Sequence, residues 1–500
     1  MVVTGFLLLA QVAAAVVLFY LLTDYIPWIN TLLLLLSILM CALLIRTDCT
    51  APEFKISWMV LFFLIPIPSG ILYLLWGDKR PAMRLRAKLD KQSCRTRPLL
   101  RQQPAPMAAL SERDPRAAMT AHYLDDYGPY PVYANTQAAY YPTGEAMFPD
   151  LLSALESAQH FIFIEFFIIG LGEMWGKLHA ILKQKAADGL DVRVIYDDVG
   201  SVSVLPIRYW KQLEAEGIHA MTFNPFVPVF NMIMNNRDHR KILVVDGHTA
   251  FSGGINLADE YINRKLRFGY WKDTGVRLQG DAAWSFTTMF LEFWNTNRPT
   301  DNDFTVFRPE CHHPEPFPCT GFVQPYSDSP VDRESVAKNV YLELIGQAQK
   351  QLWICTPYLI LDNDISTALC LAAKRGVTVN IFTPGIPDKR MTYQLTRSYF
   401  PPLITAGVHI YSYTPGFLHA KTWLVDDRIA AVGSINLDYR SLYLHFECST
   451  LLYGCAALQD VRADMDAIRA ASAPVALSDC RTSFFGTLLN ALLRTLAPLF

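Results

Sequence analysis

The stretch HRKILVVDGHTAFSGGIN, residues 239–256, returns as HAKTWLVDDRIAAVGSIN, residues 419–436. His239, Lys241, Asp246 and Asn256 thereby recur as His419, Lys421, Asp426 and Asn436 at identical spacing. A single HxKxxxxD carries little weight, but two with the same Asn offset mark a duplicated unit serving one shared site. Side chains alternate along a strand, so His239 and Lys241 share a face. Asp246, an odd number of residues away, points to the other face and reads as an anchor rather than a reactant. Asp246-Gly247 and Asp426-Asp427 are turn signals between apolar runs, so each copy is expected to form a hairpin turning just after its Asp. Folding back about that turn is expected to set Asn256 opposite His239 and Asn436 opposite His419. Each copy then offers an imidazole, an ammonium and a carboxamide in one patch, and two such patches face to face suit a phosphodiester.

Other segments repeat around these motifs. Residues 157–168 match 346–360 as a helix end leading into a buried strand, and 188–198 match 375–385 as helix end, strand and loop. EGIHAMTFNP, residues 216–225, matches AGVHIYSYTP, residues 406–415, ahead of each HxK. Helices alternating with apolar strands predict an α/β fold of two repeats, each a mixed β-sheet flanked by helices. The first repeat is placed at 143–310, a connecting segment at 311–335, the second repeat at 336–480 and a tail at 481–500. His219 and His409 recur as well, without partners, and read as structural. The first repeat carries extra residues before its HxK, FVPVFNMIMNNRD at 226–238, which suit acyl-chain contact or core packing equally.

These residues resemble the phospholipase D superfamily, and TPGFLHAKT, Thr414–Thr422, resembles its bacterial cardiolipin synthase branch. The resemblance runs nearly the whole chain. It implies a catalytic set of His239, Lys241, Asp246, His419, Lys421 and Asp426, in which one histidine attacks phosphorus and the other protonates the leaving alcohol. Lys241, Asn256, Lys421 and Asn436 would hold the phosphoryl oxygens, and neither a metal nor another cofactor is implied. Histidine can serve in either role near neutral pH. The resemblance favours His239 as nucleophile and His419 as general acid for the departing alcohol, then general base for the incoming one. A nucleophilic histidine needs its far ring nitrogen held by a carboxylate. Glu447, in LHFE, and Asp273, in YWKDTG, resemble the orienting carboxylates of the superfamily. The implied reaction joins two phosphatidylglycerols into cardiolipin and releases glycerol. Hydrolysis by water, phosphatidylethanolamine as the phosphatidyl donor, and a non-catalytic membrane scaffold are the alternatives. Intact tetrads in both repeats disfavour the scaffold.

The chain has 500 residues, 51% of them hydrophobic, and the apolar excess sits at the front. Val3–Leu22, Ile29–Ile45 and Ile56–Trp76 are apolar stretches of about spanning length, so residues 1–78 are expected to form a helical membrane anchor of two or three spans. Pro66 and Pro68 should kink the third or make it re-entrant. A basic segment and linker, 79–142, follows. Lys79, Arg80, Arg84, Arg86, Lys88, Lys91, Arg95, Arg97 and Arg101 place the catalytic part on the cytoplasmic side of a bacterial inner membrane. That run suits anionic headgroups or serves only as a topology signal. The net charge of −2 gives no hint of a nucleic-acid surface. In the tail, Phe485, Leu488, Leu489, Leu492 and Leu496 share one helical face, for core docking or for interfacial membrane binding. The ten cysteines are scattered and read as reduced thiols. Cys311, His312, His313 and Cys319 resemble a metal site in composition, but their spacing fits no common zinc pattern.

Overall fold

The computed structural model describes residues 27–46, 52–74, 80–225, 236–332 and 334–499, with isolated positions ahead of residue 27. The first repeat contains β1 (Thr136–Tyr141), β2 (Phe161–Phe166), β3 (Asp191–Asp197), β4 (His219–Phe223), β5 (Arg237–Asp238), β6 (Lys241–Val245), β7 (Thr249–Gly253), β8 (Tyr270–Lys272) and β9 (Gly275–Gly280). The second contains β10 (Phe322–Asp328), β11 (Gln351–Cys355), β12 (Thr378–Pro384), β13 (His409–Tyr413), β14 (Gly416–Leu418), β15 (Thr422–Val425), β16 (Ile429–Gly433), β17 (His445–Tyr453) and β18 (Ser472–Pro474).

The main sheets run β1-β9-β7-β6-β2-β3-β4 and β10-β17-β16-β15-β11-β12-β13, the second extended by β18. Strand for strand this is one topology used twice. β2, β3 and β4 pair in parallel, while β2 meets β6, and β6 meets β7, antiparallel, so the sheet is mixed as the sequence predicts. Central strands such as FIFIEF are buried along their whole length, which is why they read as continuous apolar runs rather than alternating ones. One apolar cluster draws on both sheets, with Phe163, Ile242 and Val244 from the first and Trp353, Leu424 and Val432 from the second. The helix Ala283–Asn297 is buried on nearly every side within it, which explains its lack of a polar stripe.

Two short strands leave their own repeats. β5 pairs in parallel with β17, and β8 pairs in parallel with β14. Each repeat thus lends a strand to the other beside an HxK motif, and this exchange builds the site.

Several boundaries differ from expectation. Residues 101–142, the part of the 79–142 segment beyond the basic run and expected to be linker, are largely structured. The helices Pro104–Arg113 and Pro115–Tyr127 bury Met107, Leu110, Ala117, Ala121 and Leu124 in the second repeat's outer core. Their prolines occupy the first helical position, where a missing N–H costs nothing, and their alanines allow close packing. β1 also falls before the expected start at 143, and β10 falls inside the expected connecting segment.

Among the described residues, no helix is long and apolar enough to cross a membrane. The first expected span, Val3–Leu22, lies outside those residues apart from isolated positions. The second falls within the helix Pro27–Ile45, and the third breaks at Ile65 into Pro52–Leu64 and Pro66–Leu72. Pro66 opens the new helix, in line with the expected kink. Past it, the helix Arg80–Thr96 lies against Ala283–Asn297, where Gln92 Nε2 donates to the Asn295 carbonyl at 3.3 Å. Within the insertion, residues 226–235 lie outside the described residues. Arg237 is buried and pairs with Asp197 at 3.2 Å. The tail overturns its core-docking reading: Phe485, Leu488, Leu489 and Leu492 are exposed, and Leu493 is the residue that packs inward.

Candidate active site

The hairpins form where the turn signals stand. Val245 pairs with Thr249 and Val425 with Ile429, leaving three-residue loops. Asp246 and Gly247 open the first with φ of +48° and +69°, Asp426 and Asp427 the second with +50° and +55°. Asp and Gly tolerate this left-handed region better than β-branched residues.

Asp246 points away from the chemistry, though it does so from the turn just past β6 rather than from the strand whose alternation suggested it. Its carboxylate accepts the backbone N–H groups of Gln159, His160 and Phe161, each at 2.8 Å. Asp426 accepts from Gln349, Lys350 and Gln351, again at 2.8 Å. Both therefore leave the catalytic set and become clamps on the entry to β2 and β11. Asp246→Ala strands three donors and places Ala at a positive φ. Its expected cost is about 3 kcal/mol, read as a lowered denaturant midpoint, with turnover retained by whatever protein stays folded. Loss of turnover with unchanged stability would return Asp246 to the chemistry.

The two histidines are held by carboxylates from opposite repeats. His239 Nδ1 donates to Glu447 at 2.9 Å, and its backbone N–H donates to the Phe446 carbonyl at 2.9 Å. His419 Nδ1 donates to Asp273 at 2.5 Å, and its backbone N–H donates to the Lys272 carbonyl at 2.7 Å. The lent strands make this crossing. β5 carries the chain to His239 alongside β17, and β14 carries it to His419 alongside β8. With each Nδ1 committed, Nε2 is the nitrogen left to act as nucleophile or base.

The GGxN and GSxN variants fit their carboxylates. Ser434 Oγ donates to Glu447 and accepts from the Cys448 N–H at 3.0 Å. At the equivalent Gly254, a Cβ would lie 2.1 Å from Asp273 Oδ1, so the first repeat has no room for serine there. Asp273 accepts the Thr274 N–H at 2.9 Å instead.

Lys241 and Lys421 are buried beside their histidines, each donating to the carbonyl of the histidine two residues earlier. The asparagines arrive differently from expectation. Ile242 pairs with Ser252, so β7 would set Gly253 opposite Lys241, and it ends there. Asn256 comes from the following loop rather than from opposite His239. It accepts the Ile168 N–H at 3.0 Å and donates to the Tyr261 hydroxyl at 2.7 Å. Asn436 likewise lies beyond the end of β16, buried, with no hydrogen-bond partner for its Oδ1 among the described residues.

Burial and crowding of cationic groups set the protonation. Burial, then Lys241 and Lys421, hold His239 well below the usual histidine value. Burial and Lys421 push His419 down to about 4. Burial lowers Lys241 to about 8, and it lowers Lys421, opposed by Asp273, to about 7. For Asp273, burial works upward, but Lys421 and His419 prevail and leave its carboxyl below the ordinary value. Burial among cations thus favours neutral histidines, and the negative charge of a phosphodiester would favour their protonated forms. A lysine with a lowered value loses its charge as pH rises through that value. Phosphate attraction should therefore fade through about pH 7 to 8, and kcat/KM should decline beyond it. A flat kcat/KM profile from pH 7 to 10 would contradict this charge assignment.

Sequence reasoning missed three residues at the site. His445 and Trp271 stand two positions before Glu447 and Asp273, which is the spacing that could have found them. The His445 ring lies 5.6 Å from His239, and the Trp271 ring lies 5.3 Å from His419. Both are buried, and burial takes His445 down to about 4. Tyr261, whose ring lies 5.6 Å from His419, joins Trp271 and Phe417 in an aromatic wall on that side. Such a wall limits water and strengthens the local electrostatics.

His239, His445 and Glu447 offer possible metal-ligating atoms within 4.8 Å of one another. Glu447 is already engaged by His239 and Ser434, and the Lys241 ammonium stands close by, so its carboxylate is committed to the histidine and the neighbouring cation. Cys311, His312, His313 and Cys319 form no such group among the described residues. Cys311 Sγ and His312 Nε2 face the carbonyls of Thr305 and Val306. The described cysteines are free thiols. His219 and His409 lie at exposed starts of β4 and β13, away from the pocket.

The comparisons agree with this geometry. The family model described as cardiolipin synthase, PLD-like domain, matches residues 151–268 and 341–469, one segment in each repeat. A cardiolipin synthase of Geobacillus sp. is 34% identical over 440 residues, covering 87% of this chain and 86% of that protein. An uncharacterized protein of Streptococcus mutans is 44% identical over 446 residues, covering 89% of this chain and 96% of its own length. The crystal structure of phosphatidylserine synthase from Haemophilus influenzae shares the fold at a TM-score of 0.57 and 16% identity, covering 76% of this chain and 97% of that one. With two HxK histidines each held by a carboxylate of the opposite repeat and relatives matched along most of their length, the chain belongs to the cardiolipin synthase family of phospholipase D-like phosphatidyltransferases.

Proposed function

We propose that this phosphatidyltransferase condenses two phosphatidylglycerols into cardiolipin and glycerol through a phosphohistidine. The observation that carries the proposal is the crossed pair of His–carboxylate contacts, which equips one pocket with two oriented imidazoles. In the first half-reaction His419 is the imidazolium that the bound phosphodiester and Asp273 favour; His239 Nε2 forms the N–P bond as the P–O bond to glycerol breaks, and His419 Nε2 gives the departing alkoxide its proton and becomes neutral. In the second, His419 takes the proton of the incoming hydroxyl, the new P–O bond forms, and the N–P bond breaks. Lys241 and Lys421 offset the charge on the phosphoryl oxygens throughout. The relatives named cardiolipin synthase support the substrate class.

The test is incubation of the purified protein with headgroup-labelled phosphatidylglycerol. Equimolar cardiolipin and free glycerol are expected. Phosphatidic acid as the main product would identify a hydrolase, and product formed only when phosphatidylethanolamine is supplied would move the donor. We place the chain at a bacterial cytoplasmic membrane with its catalytic part inside, supported by the cationic run after residue 78. Labelling of the exposed Cys94 only from the outer face of sealed vesicles would reverse that orientation.

A further inference from the structure

The helix Phe484–Thr495 sits on the protein inside out. Its polar side faces the chain: Asn490 accepts from Gln394 Nε2 at 3.2 Å, and Arg494 donates to the Ser398 carbonyl at 2.7 Å and covers the Tyr399 ring at 4.4 Å. Leu493 and Ala497 pack inward. The large apolar side chains point the other way, with Phe484 79%, Phe485 78% and Leu488 62% exposed, and Leu489 and Leu492 beside them. A helix on a water-facing surface has the reverse arrangement. A contiguous apolar face of this size marks an interaction surface.

Its surroundings say what covers it. Ser57 Oγ donates to the Thr495 carbonyl at 2.6 Å, tying the end of this helix to Pro52–Leu64. That helix and the next, Pro66–Leu72, also expose Ile56, Phe63, Leu64, Ile67 and Ile71. The two ends of the chain, more than 400 residues apart in sequence (Ser57 and Thr495 differ by 438), thus meet in one apolar district. The helix is short and has Phe and Leu on the free side, a pattern that suits the boundary between headgroups and acyl chains.

We infer that the outward face of Phe484–Thr495 lies on the bilayer, next to the N-terminal helices, and holds the catalytic repeats against the leaflet that supplies the substrate. This rests on the reading that the substrate is a bilayer phospholipid. A shallow apolar face of this kind adds interfacial binding without crossing the membrane.

Two measurements on the full chain test this. Phe485→Asp with Leu488→Asp places charges on side chains that do not support the core. Turnover of phosphatidylglycerol in vesicles is expected to fall at least about tenfold, with turnover of a short-chain phosphatidylglycerol dispersed below its micelle concentration unchanged. Unchanged turnover on vesicles, or an equal loss on both substrates, would overturn the inference. So would a changed oligomeric state without the vesicle-specific loss, which assigns the face to a second copy. The second measurement does not use turnover. Vesicles of phosphatidylglycerol carrying an acyl-chain diazirine are irradiated with the wild-type protein, and the adducts are mapped. Adducts at 484–492 are expected. Adducts on the helices of residues 27–72 with none at 484–492 would sink this inference and leave the proposed reaction standing. Adducts at 484–492 in a protein that forms no cardiolipin would do the opposite.

Discussion

His239→Ala and His419→Ala are each expected to cut turnover at least about a thousandfold, since each removes a group that makes or breaks a bond and nothing near it can substitute. Lys241 and Lys421 do not replace them, because each ammonium is already tied to the carbonyl of its own histidine and is assigned to the phosphoryl oxygens. His445, which lies 5.6 Å from the His239 ring, is held by β17 at the side of the site rather than by an HxK hairpin. Truncation also leaves Glu447 or Asp273 buried without its imidazole, so some loss of stability accompanies the loss of rate. The His→Asn variants, whose amide can still donate to the carboxylate, separate the two effects. They should recover stability and remain inactive. Near-normal turnover in any of the four would rule out a site shared by both repeats.

What the sequence showed most clearly was whatever depends on short spacing. The odd interval between His239 and Asp246 separated the reactant from the anchor, and the three backbone donors on that carboxylate are the reason the anchor exists. The paired segments ahead of each HxK became β2 with β11, β3 with β12 and β4 with β13. Spacing failed where a hairpin stopped early. β7 and β16 end at Gly253 and Gly433, where a Cβ would strike Thr274 or Cys448, so the following Asn leaves the ladder before it can face the histidine. Composition misled at 101–142, because proline at a first helical position looks like linker chemistry in a bare sequence. The tail misled for a different reason. Its apolar face was visible, but a periodicity says only that a face wants cover, and the structure turns that face away from the core. No local pattern could show the crossing of carboxylates, since it depends on β5 and β8 pairing with strands of the other repeat.

That crossing carries the second large prediction. Glu447→Gln and Asp273→Asn keep size and one acceptor oxygen while removing the charge that fixes the imidazole tautomer and supports its cationic form. Each should cost about a thousandfold in turnover. The informative result is which histidine variant each resembles. A phosphatidyl donor with a p-nitrophenol leaving group needs no protonation, so the first half-reaction no longer depends on the proton carrier. With that donor, His419→Ala should release a burst of nitrophenol and accumulate a phosphatidyl adduct on His239, and His239→Ala should give neither. Because Asp273 holds His419 and Glu447 holds His239, Asp273→Asn should show the burst and Glu447→Gln should not. If the adduct appears on His419 instead, both patterns exchange together, since the roles swap and the crossed contacts remain. Should Glu447→Gln behave like His419→Ala while Asp273→Asn behaves like His239→Ala, each carboxylate would be serving the motif of its own repeat, and the exchange of strands between repeats would have no part in the chemistry.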